Sequence, residues 1–304
     1  MNLKASTMNH FARSLVTLAL GASALAAQAA PTLTALYTFE GAGGNFANVV
    51  DDSGNGKNPV SWDQKTVSVT TGGLGYQGEG VKFTPTGPSL NNTAGAPTSG
   101  TGFEVAINIA PSQGDLTIGG WLKLKTTTAT AANPRYTFFG HDDSCWDRGL
   151  WLDKQRGGAW QTTGGANCGG PQNTGITMSE DVWHLVVVSM SGTNASLYLD
   201  GQLKSTTPSH DTGTANPRLR FGAFDASGGT EPWEGLMDNI FVYSAALNAT
   251  EVSIINSQGA AGVRAVAGLS TGAPNDLPEP AGLALAGVAL LGMVASRRMT
   301  QRRA

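Results

Sequence analysis

The sequence predicts an all-β protein that contains one short helix. Two observations carry this prediction. First, the stretch from Leu116 to Leu124 alternates strictly, with Leu, Ile and Leu on one parity, which is typical of a half-buried strand. Second, short apolar runs rich in β-branched and aromatic residues recur along the chain, and clusters of Gly, Asn, Asp and Ser separate them. We therefore expect many short strands joined by tight turns.

The chain is organised around the stretch Trp183–Gly201. An apolar run at 185–188, a polar turn at 191–194 and a second run at 197–199 predict two antiparallel strands. Asp200 and Gly201 follow, and this pair favours a two-residue hairpin turn because both positions need positive φ angles. The segment 202–204 should therefore fold back as a third strand.

The remaining elements follow the same rules. Asn248 and Glu251 have the spacing of a capping box, which predicts a helix over Ala249–Ser257. A turn cluster lies at 51–56, between the first predicted strand and the next. The predicted strands outside the central hairpin cover residues 34–40, 67–71, 80–83, 102–109, 116–124, 136–140, 149–153, 218–224 and 233–243.

Several of these motifs resemble those of laminin-G-like domains, which belong to the concanavalin A-like lectin/glucanase group. The resembling parts are the Trp-His strand start and Leu-Tyr-Leu-Asp-Gly hairpin, the loop at 51–56, the strand around Trp121, and the closing segment 235–243 with the helix after it. The resemblance implies a two-sheet antiparallel jelly-roll sandwich over about residues 32–260. It also implies that Trp183 and His184 have a structural role at the start of a strand.

Charge argues against nucleic-acid binding. The segments 1–29 and 281–304 contain six basic residues and no Asp or Glu, so residues 30–280 carry 13 basic and 22 acidic residues, a net charge of −9. Binding to a phosphate backbone depends on Lys and Arg, and an acidic body repels it. We therefore expect no nucleic-acid partner.

The first 29 residues have the layout of a secretory signal peptide. Lys4, His10 and Arg13 precede an apolar run at 15–25, and small residues at Ala27 and Ala29 fit signal peptidase cleavage after Ala29. A start at Met8 would preserve this layout. A cytosolic amphipathic helix is the alternative, but the stretch has no polar face.

The last residues predict a second targeting segment. An apolar run at 281–295 precedes a basic cluster that includes Arg297 and Arg298. Fifteen helical residues span about 22 Å, less than the roughly 30 Å of a hydrocarbon core. The basic cluster should stay on the cytoplasmic side, which places the domain outside.

With Pro278, Glu279 and Pro280 in front of it, this segment resembles the PEP-CTERM sorting tail of Gram-negative bacteria that produce exopolysaccharide. The resemblance implies recognition by an exosortase near this triplet, then release or transfer to the cell surface or matrix. A plain single-span anchor is the alternative. The predicted organisation is a signal peptide at 1–29, a sandwich at 30–263, a flexible linker at 264–276 and a sorting segment at 277–304.

The sequence lacks the motif of glucanases built on this fold, which place two carboxylates on one strand face. No Glu is followed two residues later by Asp, and Glu231 and Glu234 have a spacing that points to different strand faces. No Gly-x-Ser-x-Gly elbow occurs either, although sequence alone leaves a Ser-His-Asp arrangement open. We therefore expect a non-catalytic protein, with a hydrolase as the alternative.

A structural Ca²⁺ is the candidate cofactor. Calcium prefers carboxylate and carbonyl oxygens, and Glu40 and Asp51 lie in the opening segment while Asp238 lies in the closing strand. The laminin-G-like resemblance would bring these three together at one sheet edge. The alternative is that Glu40 and Asp51 are solvated and that Asp238 caps a backbone N–H. Zinc is not expected, because the four His residues lack ligand spacing.

The candidate glycan site is a loop rich in Trp and Asp. Trp faces stack on sugar rings, and Asp carboxylates accept hydroxyl hydrogen bonds. Cys145 and Cys168 should form a disulfide in an oxidising compartment and fix this loop. The alternative is that its Trp residues pack into the sandwich. The candidate ligand-binding residues are His141, Asp142, Asp143, Trp146, Asp147 and Trp160.

Three functional classes follow. We favour an extracellular module that binds carbohydrate, such as exopolysaccharide, or a surface partner. A structural or adhesive matrix protein that binds other proteins comes next, and a glycan-active hydrolase last.

Overall fold

The computed structural model describes residues 30–84, 102–125, 135–140, 148–163, 170–209, 218–223 and 231–269. In this part of the chain, two antiparallel β-sheets and two short α-helices form the fold. The arrangement agrees with the expected two-sheet sandwich.

The larger sheet has eight strands and contains the central hairpin. Seven of them run in the order β13-β12-β11-β6-β15-β4-β3, and β1 pairs with the second half of β15. Its strands are β1 (Leu33–Tyr37), β3 (Val67–Val69), β4 (Val81–Phe83), β6 (Leu116–Leu124), β11 (His184–Ser191), β12 (Asn194–Leu199), β13 (Gln202–Pro208) and β15 (Gly235–Tyr243).

The smaller sheet has seven strands in the order β10-β9-β8-β7-β14-β5-β2. They are β2 (Pro59–Trp62), β5 (Phe103–Val105), β7 (Arg135–Gly140), β8 (Leu150–Asp153), β9 (Ala159–Thr163), β10 (Pro171–Thr177) and β14 (Leu219–Phe221). The sequence did not indicate β2, β9 or β10. In β9 the reason is visible, because Gln161 and Thr162 are fully buried and break the apolar alternation that marks a half-buried strand.

The predicted hairpin turn is confirmed. Leu199 pairs with Gln202, so the loop contains two residues, and Asp200 and Gly201 have φ angles of 52° and 79°. These are the positive values that a two-residue turn of this type requires. The turn sets the register of β12 against β13. Strand β11 pairs with β12 along one edge and with β6 along its other edge.

The larger sheet separates two apolar cores. One parity of β6, which includes Ile118 and Leu122, packs in the core between the sheets. The other parity, which includes Trp121, faces outward and packs with Phe241 and Tyr243 in a second core. Gly119 lies beneath the Phe241 ring, where a Cβ would come within 2.3 Å of its Cζ. This close approach explains a glycine at the centre of a buried strand.

Two helices cover the second core. Helix α1 (Ala249–Gln258) begins with the predicted capping box of Asn248 and Glu251. A second helix, α2 (Ala260–Val266), follows directly, so the expectation of one helix was incomplete. Val263 and Val266 are buried in this core, and the ordered domain therefore continues past residue 263 into the predicted linker.

The predicted targeting segments lie outside the described residues. These are the signal peptide at 1–29, most of the linker, and the sorting segment with Pro278, Glu279, Pro280, Arg297 and Arg298. Across the ranges given above, the helices are too short to cross a membrane.

Candidate functional site

The predicted Trp/Asp loop is only partly described. His141, Asp142, Asp143, Trp146 and Asp147 lie outside the described residues, as do Cys145 and Cys168 of the predicted disulfide. They remain sequence predictions.

Trp160 is described, and its placement corrects the prediction. Its side chain is fully buried between the sheets, and its ring stacks on Trp233 at a centroid distance of 6.3 Å. Trp151 is also fully buried. A buried indole face is not available to a sugar, so Trp160 belongs to the core. The prediction failed because a core Trp and a binding Trp have the same residue signature when the strand parity is unknown.

The three predicted calcium ligands do not converge. Asp51 is buried, and its carboxylate accepts backbone N–H bonds from Leu36, Ser53 and Lys57 at 2.9 to 3.0 Å. These bonds, with the Ser53 hydroxyl, outweigh burial and lower the pKa of Asp51. Asp51 therefore connects β1 to the turn at 51–56 through hydrogen bonds. Among the residues described, no group of three or more His, Cys, Asp or Glu side chains is placed to share a cation.

Asp238 and Glu40 anchor a different feature, the loop 72–80. Asp238 is fully buried, and its Oδ2 accepts from the Gln77 N–H at 2.8 Å. Glu40 is exposed and accepts from the Glu79 N–H at 3.0 Å. Burial raises the pKa of Asp238 to about 8, and the charge of Glu40 adds to this effect, although backbone N–H bonds oppose it. Asp238 thus accepts hydrogen bonds from backbone N–H groups, which was the alternative to a calcium ligand in the sequence analysis.

Ser179, His184 and Asp200 form a hydrogen-bonded chain. Ser179 Oγ lies 2.7 Å from His184 Nε2, and His184 Nδ1 lies 2.9 Å from Asp200 Oδ2. These contacts have the order of a Ser-His-Asp triad. The other oxygen of Asp200 accepts from the Leu185 N–H, and half of the Asp200 side chain is exposed. Its bonds therefore tie the turn after β12 to the start of β11, which agrees with the structural role expected for His184.

A recess outside these clusters lies on the outer face of the larger sheet. We call it the lysine cleft. Its volume is about 370 Å³, within the range of about 300 to 1,000 Å³ typical of small-molecule sites. The residues that line it are Thr70, Leu74, Lys82, Phe83, Thr84, Lys123, Lys125, Asp181, Glu234, Gly235 and Leu236.

Strand register places two lysines on either side of an apolar residue. Leu236 of β15 pairs with Lys82 of β4 on one side and with Lys123 of β6 on the other. Neighbouring strands lie about 4.8 Å apart, so the two lysine Cα atoms are roughly 10 Å apart across the floor of the cleft. Leu236 between them is half-buried.

Three lysines line this recess. Lys82, Lys123 and Lys125 make no ion pair within the described ranges, in contrast to Lys154, which pairs with Glu180. Three of the chain's eight lysines therefore gather at one recess of an acidic body. Asp181 and Glu234 lie at the same end as Lys125, whose N–H donates to the Glu234 carbonyl at 3.0 Å.

An aromatic group lies on the same outer face of the larger sheet. Tyr76 stacks on Trp121 at 4.8 Å and meets Trp183 edge-on at 6.1 Å. Tyr76 is 38% exposed, and Trp183 is partly exposed. Trp121 precedes Lys123 by two residues, so both side chains lie on the outer face. The outer face of β6 therefore carries both Trp121 of the aromatic group and Lys123 of the cleft.

Sequence reasoning missed this site, although one signal was present. The odd-numbered residues from Thr117 to Lys125 alternate with the apolar parity of β6, and they end in two lysines. Lys82 is likewise flanked by apolar residues in β4. Nothing in the sequence alone indicates that β15 lies between these strands.

The family assignment follows from the comparisons with known proteins. A laminin-G-type family model, described as the concanavalin A-like lectin/glucanases superfamily, matches residues 98–253, about half of the chain. The chain belongs to this superfamily. This confirms the resemblance read from the hairpin and the closing strand. A comparison with curated protein sequences finds no match.

Comparison with solved structures gives matches at low identity. The binding domain of Paraclostridial Mosquitocidal Protein 1 is 15% identical with a TM-score of 0.51, and the match covers 74% of this chain and 52% of that one. The chain thus spans about half the length of that structure, and the likeness shows the fold alone. The receptor-binding domain of botulinum neurotoxin type G has a TM-score of 0.49 at 15% identity, with coverages of 74% and 51%. Domain 4 of the arabinanase AbnA from Geobacillus stearothermophilus, solved with arabinotriose, has a TM-score of 0.48 at 17% identity. That match covers 74% of this chain and 98% of the domain.

Proposed function

We propose that the protein is an exported, non-catalytic module that binds polysaccharide outside the cell. The observation that supports this most directly is the combination of the lysine cleft with the exposed edges of Tyr76 and Trp183. Sugar sites combine an aromatic or apolar surface with a few polar groups that contact hydroxyls. Membership of a lectin/glucanase superfamily agrees with this function.

The proposed location rests on the two end segments. The signal peptide at 1–29 directs export across the inner membrane of a Gram-negative bacterium, and signal peptidase removes it. The C-terminal helix then holds the protein in the membrane at least transiently. An exosortase acts near Pro278, Glu279 and Pro280, after which the domain reaches the surface or matrix.

The predicted disulfide loop gives a second candidate contact surface for the same function. His141, Asp142, Asp143, Trp146 and Asp147 keep their proposed role as glycan contacts, with Cys145 and Cys168 bridged. Trp160 no longer belongs to this set.

Binding to a polysaccharide panel tests the function. The purified full chain is incubated with immobilised neutral and acidic polysaccharides, including the host's exopolysaccharide, first in calcium and then in chelator. We expect retention on at least one polysaccharide, and loss on Tyr76→Ala in a sample whose circular dichroism is unchanged. Retention that depends on calcium would support the cofactor prediction, with ligands other than Asp51. A folded sample that binds no polysaccharide would contradict the function and favour a structural or protein-binding matrix role.

Hydrolysis is the second candidate, and the Ser179–His184–Asp200 chain is the observation that favours it. A serine hydrolase transfers an acyl group to the Ser oxygen while His takes its proton, and water then releases the acid. Labelling with a fluorophosphonate separates the two candidates. We expect no label on Ser179, whereas labelling that disappears in both Ser179→Ala and His184→Asn would establish a hydrolase.

A further inference from the structure

We propose that the lysine cleft selects acidic polysaccharide, with the carboxylates of uronate-type sugars held by Lys82 and Lys123. This inference rests on the proposed function and specifies its ligand class. The juxtaposition that carries it is Lys82–Leu236–Lys123 across three paired strands.

The geometry of the cleft floor suits an acidic sugar. The two lysines lie on β4 and β6, the strands that flank β15, on either side of one apolar side chain. An acidic sugar has a matching layout, with an apolar ring face and an equatorial carboxylate at its edge. The ring can lie on Leu236 and Leu74 while the carboxylate contacts an ammonium group. Leu74 is 61% exposed, so it is available at the rim.

The local charge of the cleft floor is opposite in sign to the net charge of the domain. Residues 30–280 carry a net charge of −9, which repels a polyanion at long range. At physiological salt, however, the Debye length is about 8 Å, so the local charges decide the potential inside a recess. Within the described residues, Lys82 and Lys123 have no carboxylate partner that would cancel their charge. A neutral glycan would leave these two charges without a role.

The acidic side of the cleft suits sugar hydroxyls. Asp181 and Glu234 line it near Lys125, and Thr84 lies beside them. Carboxylates accept hydrogen bonds from sugar hydroxyls, and threonine can donate or accept. One end of the cleft therefore suits an acid group, while the other end suits hydroxyls. A bare polyphosphate or nucleic-acid backbone offers no comparable set of hydroxyl donors.

The contributions of the three lysines should differ. Lys125 is paired through its backbone with Glu234, an acidic residue that lines the same end of the cleft. Lys82 and Lys123 are each paired across the strands with the apolar residue Leu236. We therefore expect Lys82→Gln and Lys123→Gln to weaken binding more than Lys125→Gln.

The experiment measures binding of the full chain to polygalacturonate and to the same polymer after reduction of its carboxyl groups. We expect binding to the acidic polymer to weaken at least tenfold in the triple variant Lys82→Gln/Lys123→Gln/Lys125→Gln. The control variant Lys57→Gln/Lys65→Gln/Lys204→Gln removes the same charge from other surfaces, and it should retain binding. Added salt should weaken binding to the acidic polymer and leave the reduced polymer unaffected.

The outcomes separate this inference from the function on which it rests. Equal binding to both polymers, unchanged in the triple variant, would overturn the acidic selectivity and leave a neutral-glycan module. Equal losses in the triple and control variants would show that net charge alone acts, which also overturns the inference. Equally tight binding to a single-stranded oligonucleotide would do the same. Binding to neither polymer, nor to any member of the wider panel, would contradict the proposed function itself.

Discussion

The outer face of the larger sheet has two halves that differ in what covers them. Under helices α1 and α2, the outward side chains Leu185, Val187, Phe241 and Tyr243 are fully or almost fully buried. On the other half, the outward side chains Lys82, Leu236 and Lys123 line an open cleft. Both halves use the same strands β6 and β15. One pleated surface therefore contributes to stability along one part of its length and leaves an open cleft along another.

The change from one half to the other occurs at Asp238. A register shift between Asp238 and Phe241 interrupts the pairing of β15 with β6, and Asn239 has a positive φ of 45°. Such bulges bend a strand and redirect its side chains. Before the shift β15 pairs with β4, and after it β15 pairs with β1. The bulge thus separates the cleft from the helix-covered core.

The largest expected effect is on stability in the covered half. Phe241→Ala should lower the free energy of unfolding by about 3 to 5 kcal/mol, because it opens a cavity above Gly119 beneath α1 and α2. Leu236→Ala, in the same strand but only partly buried, should cost less, about 1 to 2 kcal/mol. Urea denaturation compares the two. Similar losses would mean that the halves do not differ in this way.

The next effect is a pH dependence that arises at the boundary. The pKa of Asp238 is raised to about 8, so between about pH 4 and pH 8 the folded state holds a proton that the unfolded state has released. Stability should therefore fall as pH rises through this window, with a slope from this group approaching 1.4 kcal/mol per pH unit. Asp238→Asn should flatten the slope, and a variant that keeps the full slope would assign it to another group.

A smaller effect tests the contact between the hairpin and α1. Gly201 has a φ of 79°, and a Cβ there would lie 2.9 Å from Asn256 Cβ. Gly192 also has a positive φ of 55°, but nothing lies within 4 Å of its Cβ position. Each Gly→Ala change should cost about 1 kcal/mol for its backbone conformation, and Gly201→Ala should cost measurably more. Thermal denaturation measures the loss of stability in each variant. Equal losses in Gly201→Ala and Gly192→Ala would mean that α1 does not restrict the side chain at this turn.

The smallest expected effect on stability belongs to the rim of the cleft. Tyr76 stacks on Trp121 with 38% of its surface exposed, so Tyr76→Ala should cost about 1 kcal/mol in folding. Its effect on polysaccharide affinity should be at least fivefold, while Tyr76→Phe should retain binding. Affinity measured by titration against the preferred polymer checks this. A loss of stability without a loss of affinity would place Tyr76 in the fold and outside the site.

Local features of the fold were predictable, and the candidate site was not. The Asp200–Gly201 turn, the Asn248–Glu251 capping box and the span of β6 each depend on residues close in sequence. The lysine cleft depends on β15 pairing between β4 and β6, which joins positions more than 100 residues apart. Trp160 was misassigned for a related reason, since its burial depends on Trp233 from a distant segment.

The most direct test of the central claim, that the open half of this face is the ligand surface, is lysine reactivity. The full chain is acetylated with and without its preferred polysaccharide, and modification at each lysine is quantified by mass spectrometry. We predict that bound ligand protects Lys82, Lys123 and Lys125, while Lys65 and Lys204 react at an unchanged rate. Undiminished reactivity at the three cleft lysines in a sample saturated with ligand would contradict the account.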